Sequence, residues 1–195
     1  MISTLPITIC FTYFKSLGLA NLDAALHSVR QQDFSRVEAV VIVDNNGEGS
    51  AYDVQVIIDK HEFLVPVNLY SFKHADPLKT HAWSSNVAVR MATTPWIFFC
   101  RADYLLDFDV VRRFHERIEL TPERNAFVTS NGCHLSIDVA ECEQTGWRRF
   151  GPRLFRGVEF DYTNIDAGVW MARRNAFNDV EGLDEALTAW GHAQT

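Results

Sequence analysis

Three short polar clusters stand where apolar runs stop: Thr12-Tyr13 after Ile7–Phe11, Asp44-Asn45 after Val37–Val43, and Arg101-Ala102-Asp103 after Trp96–Cys100. Together they offer a hydroxyl, a phenol, an amide, two carboxylates and a guanidinium, groups that grip a polar ligand through hydrogen bonds and charge. Each also has a plainer use. Asp44-Asn45-Asn46-Gly47 is good turn chemistry by itself. Asp103 can cap a following helix, although Asp107 and Asp109 stand better for that task. Elsewhere the reactive residues are poorly grouped. His74 and His81 are seven apart with no Cys or carboxylate support at ligand spacing, which argues against a zinc pair. Cys10, Cys100, Cys133 and Cys142 form no CxxC pairing, and Cys10 and Cys100 lie in apolar runs as small buried hydrophobes. No glycine-rich phosphate loop is present.

The elements that must position these clusters alternate in type. Ile7–Phe11 reads as a buried strand. Leu22, Ala25, Leu26 and Val29 then recur at helical spacing, with Asn21 available as the cap. Val37–Val43 is a second strand, Val54–Ile58 a weaker apolar stretch, and Val65–Phe72 a further short strand. Trp83, Val87 and Met91 mark a helix that Pro95 ends, before the strand Trp96–Cys100. Val110, Val111, Phe114 and Ile118 line another helix; Phe127-Val128 opens the second half, and Gly168–Ala172 is a late strand. This order predicts an α/β fold, a mostly parallel sheet with helices on both faces. Ligands of such sheets bind at the carboxyl ends of the strands near a topological switch point. The three clusters therefore share one edge.

Length and charge narrow the function. With 195 residues and neither an internal repeat nor a linker, the chain reads as one domain. Its 18 Lys+Arg against 25 Asp+Glu exclude a general nucleic-acid binder. No apolar run approaches the roughly 20 residues of a membrane span, and the N-terminus shows no signal-peptide pattern. A reduced, cytoplasmic setting is expected.

The pieces resemble the family 2 glycosyltransferases, which have the GT-A fold. That family's first strand ends in Pro-Thr-Tyr-Asn, against Phe11-Thr12-Tyr13-Phe14 here. Its next helix carries Leu-x-x-Ala-Leu-x-Ser-Val-x-x-Gln, which runs here from Leu22 to Gln32. Val-Asp-Asp-Gly-Ser is matched by Val43-Asp44-Asn45-Asn46-Gly47, a helical Asn and Ala by Asn86 and Ala92, and Asp-x-Asp by Arg101-Ala102-Asp103. Gly-Phe-Asp-Glu is matched by Gly182-Leu183-Asp184-Glu185, and Trp-Gly-x-Glu-Asp by Trp190-Gly191-His192-Ala193-Gln194. The motifs are individually weak, but their order and spacing span nearly the whole chain.

The resemblance implies an inverting transferase that moves a sugar from a nucleotide-diphospho-sugar, a UDP-sugar above all, to an acceptor hydroxyl. The acceptor would be a glycan, a lipid-linked species or another hydroxyl compound. Residues 1–105 would form the nucleotide-binding half and 106–195 the acceptor side. Tyr13 would stack on the base, with Thr12, Asp44 or Asn45 at its edge, and Asn86, Arg101 and Asp103 would complete the donor site. Asp103 would hold Mn²⁺ or Mg²⁺ to offset the charge of the leaving diphosphate. Asp184, Glu185 and Trp190 would face the acceptor. Two departures matter. Arg101 replaces the first Asp of Asp-x-Asp, where a guanidinium neutralises phosphate itself or repels the metal. The Trp-Gly segment has neither Glu nor Asp, which leaves His192 as its candidate general base, with Asp166 facing the same cleft. The chain stops inside this motif at Thr195, as expected of a fragment. Two other readings stand beside the first: a non-catalytic nucleotide-sugar-binding or scaffold domain, and a nucleotidyltransferase, the latter opposed by the missing phosphate loop.

Overall fold

The computed structural model describes residues 6–14, 18–45, 50–72, 81–107, 109–120, 127–129 and 168–185. The elements are β1 (Ile7–Tyr13), α1 (Leu19–Arg30), β2 (Val37–Asp44), α2 (Ser50–Asp59), β3 (Val67–Ser71) and α3 (His81–Met91). They continue with β4 (Trp96–Arg101), α4 (Val110–Glu119), β5 (Phe127–Thr129), β6 (Val169–Arg173) and α5 (Arg174–Asp179). The strands form one sheet in the order β3-β2-β1-β4-β6-β5. The first four are parallel, and β6 is antiparallel to both its neighbours. This is the expected α/β architecture.

Strand alternation sorts the apolar side chains onto two faces. Ile7, Ile9, Phe11 and Tyr13 of β1 pack with Val40 and Ile42 of β2 and with Trp96 and Phe98 of β4. Leu22, Leu26 and Val29 of α1, Val54 and Ile58 of α2, and Val111, Phe114 and Ile118 of α4 cover that face. Cys10, Val41, Ile97, Phe99 and Trp170 point the other way, against Val87 and Ala88 of α3 and Phe177 of α5. Because both faces are covered, the central strands carry continuous apolar runs instead of a polar alternation. Trp170 stacks between Phe99 and Phe177, with ring centroids 4.9 and 5.6 Å away.

Three local expectations change. Val54–Ile58 is helical: Val54, Ile57 and Ile58 are buried at helical spacing while Gln55 and Val56 face outward. Asn21 lies inside α1, whose cap position is Gly18; its φ of 77° is one that a side-chain-bearing residue rarely adopts. In α3 the burial runs almost all round from Ala82 to Val89, and Met91 ends exposed. Among the described residues no helix is long and apolar enough to cross a membrane.

The crossovers locate the ligand edge. From β1 the chain steps outward through α1 and α2 to β3, then returns through α3 to place β4 on the other side of β1. Strand order therefore reverses between β1 and β4, and the crevice for a ligand opens above their carboxyl ends.

Candidate active site at the switch point

Register puts the polar clusters in one row along that edge. Tyr13 pairs with Asp44, Asp44 with Ser71, and Thr12 with Arg101 across the switch point. The pairing runs past the strand ends, where Asn45 N–H donates to Tyr13 C=O (3.1 Å), Phe72 N–H to Asp44 C=O (3.0 Å) and Ala102 N–H to Thr12 C=O (3.0 Å). These bonds fix the backbone of the residues that sequence reasoning assigned to the donor.

The side chains in the row differ in what they hold. Asp44 is fully buried and accepts a hydrogen bond from Ser71 Oγ on Oδ2 at 2.9 Å. Tyr13 is 1% exposed and its ring lies in the core, so its face is covered where base stacking was expected. Burial first, and then the Asp44 and Asp53 carboxylates, push its phenol up to about 12. Thr12 is fully buried on the α3 face, and its Oγ1 has no hydrogen-bond partner among the described residues. Ser84 on α3 likewise has a buried, unsatisfied Oγ. A buried hydroxyl left unmatched is costly, so both positions stand out against the satisfied polar groups around them.

Arg101 and Asp103 form a fork. Arg101 Nε donates to Asp103 Oδ1 at 2.9 Å and Nη2 donates to Oδ2, so both carboxylate oxygens are engaged. The guanidinium is only 11% exposed and lies over the Tyr104 ring, 5.1 Å from its centroid. Tyr104 is pressed in turn against Gly168, where a Cβ would sit 2.3 Å from the ring. Any side chain at 168 would push the Tyr104 ring aside. The segment that follows is tied to α1: Leu106 N–H donates to Ser28 Oγ (3.0 Å), and Gln32 Nε2 to Asp107 C=O (2.9 Å). Gln32 Oε1 also accepts from Val111 N–H at 3.2 Å. It thereby serves the start of α4 in place of Asp109, whose side chain makes no cap bond and pairs with Arg112.

This donor set does not fit a divalent cation. Asp103, the expected ligand, has both oxygens on a guanidinium, and no three His, Cys, Asp or Glu side chains among the described residues are arranged to hold a metal. A dication on Asp103 would sit about 4 Å from the Arg101 charge, a repulsion of about 8 kcal/mol at an effective dielectric near 20.

Asn86, also expected at the donor, is spent elsewhere. Its Nδ2 donates to Leu183 C=O (2.9 Å) and Glu185 Oε1 (2.8 Å), and its Oδ1 accepts from Leu183 N–H (2.9 Å). Gly182, at φ 81°, lies so close that a Cβ would be 2.5 Å from Asn86 Oδ1. Arg90 adds an ion pair to Glu185 at 3.5 Å. The Gly182–Glu185 turn is thus clamped onto α3, beside a cleft of about 280 Å³ lined by Asn86, Arg90, Phe177 and Asn178. Asp184 is exposed on that turn. Asp166, Trp190 and His192 lie outside the described residues.

Sequence reasoning missed Ser71, Tyr104 and Ser84. Ser71 was within reach, since it ends a strand on the same edge as Asp44. Nothing in the spacing signals that Tyr104 carries the guanidinium.

Comparison with known proteins agrees with this architecture. The profile of Glycosyl transferase family 2 matches residues 8–181. No curated protein sequence matches the chain. Among solved structures it is similar to S. aureus TarS 1–349 in complex with UDP, at 12% identity and a TM-score of 0.60, over 95% of this chain and 52% of that one. A second S. aureus TarS structure matches at 14% identity and a TM-score of 0.57, over 95% of this chain and 31% of that one. The chain spans about half the length of these relatives or less, and at such identity the likeness is one of fold.

Proposed function

The chain belongs to glycosyl transferase family 2, and from that premise we propose that it transfers a sugar from a nucleotide-diphospho-sugar, a UDP-sugar, to an acceptor hydroxyl with inversion. The observation that carries this reading is the row at the switch point: Asp44 seated on Ser71 beside the register pair Thr12–Arg101. Asp44 and Asn45 offer acceptors and an amide to the edge of a nucleobase, and Thr12 a hydroxyl. Arg101 meets the negative charge that collects on the diphosphate as the anomeric carbon–oxygen bond breaks. The UDP held by the TarS relative supports uridine as the base.

For inversion, the acceptor oxygen attacks the anomeric carbon from the face opposite the leaving diphosphate and gives up its proton to a base. His192 is the candidate base, with Asp166 as the alternative, and Asp184, Glu185 and Trp190 flank the acceptor. A glycan or lipid-linked hydroxyl is the acceptor class. The buried, unpaired Cys10 and Cys100 support a reducing, cytoplasmic setting.

One feature favours a second reading, donor binding without turnover. The Arg101–Asp103 fork stands where the family carries two carboxylates. Incubation with UDP-sugars and a panel of acceptor alcohols separates the two readings. UDP release with an inverted glycosidic product, seen by NMR and lost in His192→Ala and Asp166→Ala together, supports transfer. Tight UDP binding with neither transfer nor donor hydrolysis supports the binding domain.

A further inference from the structure

We propose that this site takes its nucleoside diphosphate without a divalent cation, with Arg101 as the countercharge and Asp103 as the positioning residue that aims it. The inference rests on the donor reading above and changes the role of Asp103 within it.

Four observations converge. Both Asp103 oxygens are bonded to Arg101, so the carboxylate orients a guanidinium instead of presenting itself to a metal. The guanidinium is largely buried on the Tyr104 ring, which the missing Cβ of Gly168 accommodates. Ser28 and Gln32 of α1 tie down the backbone just beyond, through Leu106, Asp107 and Val111. Arg101 also stands in register with Thr12, whose buried hydroxyl is unsatisfied among the described residues, at the point where strand order reverses. The pair is therefore built into the fold at the place where a ligand's charge arrives. The planar geometry of a guanidinium suits phosphate oxygens, which makes an oriented one a ready countercharge. Net charge points the same way. Exchanging a carboxylate for a guanidinium shifts the site by two units toward positive, the change that a bound metal otherwise supplies.

Calorimetric titration of UDP into the full chain, in EDTA and again in Mn²⁺, tests this. The expected result is one affinity in both buffers, weakened about tenfold or more in both by Arg101→Ala. Arg101→Lys, which keeps the charge and loses the fork, falls between. Asp103→Asn weakens binding without creating a response to Mn²⁺. Arg101→Asp binds poorly in EDTA and recovers with Mn²⁺, a readout that a merely structural role of Arg101 does not produce. Circular dichroism confirms that each variant is folded. Wild-type binding that appears only with Mn²⁺, or loss on Asp103→Asn confined to the Mn²⁺ buffer, overturns the proposal and leaves the donor reading standing. Failure of the folded wild type to bind UDP, GDP or ADP in either buffer overturns both.

Discussion

The clamp made by Asn86 separates two roles for one residue. Asn86→Ala removes two hydrogen bonds to the Leu183 backbone and one to the Glu185 carboxylate, all at a residue 3% exposed. The two neutral bonds are worth about 1 kcal/mol each, and the charged one, on a partly exposed carboxylate, about 1.5 kcal/mol, for a loss of about 3.5 kcal/mol. Gly182→Ala attacks the same clamp from the other side. It places a methyl group 2.5 Å from Asn86 Oδ1 and 2.9 Å from the Phe177 ring, at a φ of 81°. Left-handed strain and displacement together cost about 2–3 kcal/mol. Since each substitution releases the same turn, and Asn86→Ala also removes the atom the new methyl strikes, the double variant should lose little more than the worse single one. Urea denaturation of the four proteins measures this as a coupling of at least about 1.5 kcal/mol. Asn86→Asp sharpens the test: it keeps an acceptor for Leu183 N–H but sets a carboxylate against Glu185, so it should be worse than Asn86→Ala at neutral pH and recover in acid. Additive losses, or a stable Asn86→Ala that binds UDP weakly, would refute the clamp and return Asn86 to the donor site.

Three further outcomes are expected. Gln32→Ala strands Asp107 C=O and Val111 N–H at a site 5% exposed, so stability should fall by about 2–3 kcal/mol in urea melts; a change below about 0.5 kcal/mol excludes the tie between α1 and the segment after Asp103. Thr12→Val replaces an unsatisfied buried hydroxyl by a methyl, so stability should hold or rise by about 1 kcal/mol while UDP affinity drops; affinity unchanged to UDP removes Thr12 from the site. His115 is held neutral first by burial and then by Arg36, whose Nη1 lies 3.0 and 3.1 Å from the two ring nitrogens, so its pKa falls below the ordinary 6.5. The unfolded chain then binds the extra proton first, and stability should decline as pH falls from 7 through 6.5 toward the lower folded value. His115→Gln should flatten that slope, and an unchanged slope assigns the acid loss to other groups.

The strands, their common edge and the family were legible because buried parallel strands write themselves as apolar runs that end abruptly in polar residues. The position of Asp44 and Arg101 on that edge was read in this way. Helix α2 was not, since a short stretch with four apolar residues in five, such as Val54–Ile58, carries the signal of either element until its neighbours are seen. The cap of α1 was misplaced because Gly18 does by backbone freedom what Asn21 would do by side chain. The contacts of Asn86 and the burial of Tyr13 were hidden for a different reason. A motif gives residue types in order, but whether an amide faces a ligand or a turn 97 positions away is decided by tertiary contact. Likewise, a tyrosine at a strand end looks the same in sequence whether its ring covers a base or the core. The Arg101–Asp103 fork is the clearest case. The sequence offered a guanidinium that neutralises phosphate or repels metal, but not one that occupies the neighbouring carboxylate.

That fork bears directly on whether the site is built or decayed. Partly buried ion pairs are poor sources of stability, because the charges lose water on both sides. Packing alone gives little account of one set at a switch point, over a tyrosine ring that lies close against Gly168. The bonds from Ser28 and Gln32 serve the backbone immediately after it, and Gln32 spends all of its amide's hydrogen bonds among the described residues there and on Ser28 C=O. A site released from ligand binding has no need of a preorganised cation, whereas one that receives a diphosphate gains from a charge already oriented and already dehydrated. On the donor reading proposed above, the substitution of a guanidinium for a carboxylate is a change of electrostatics and not a loss of the site, and the response of UDP binding to EDTA decides it.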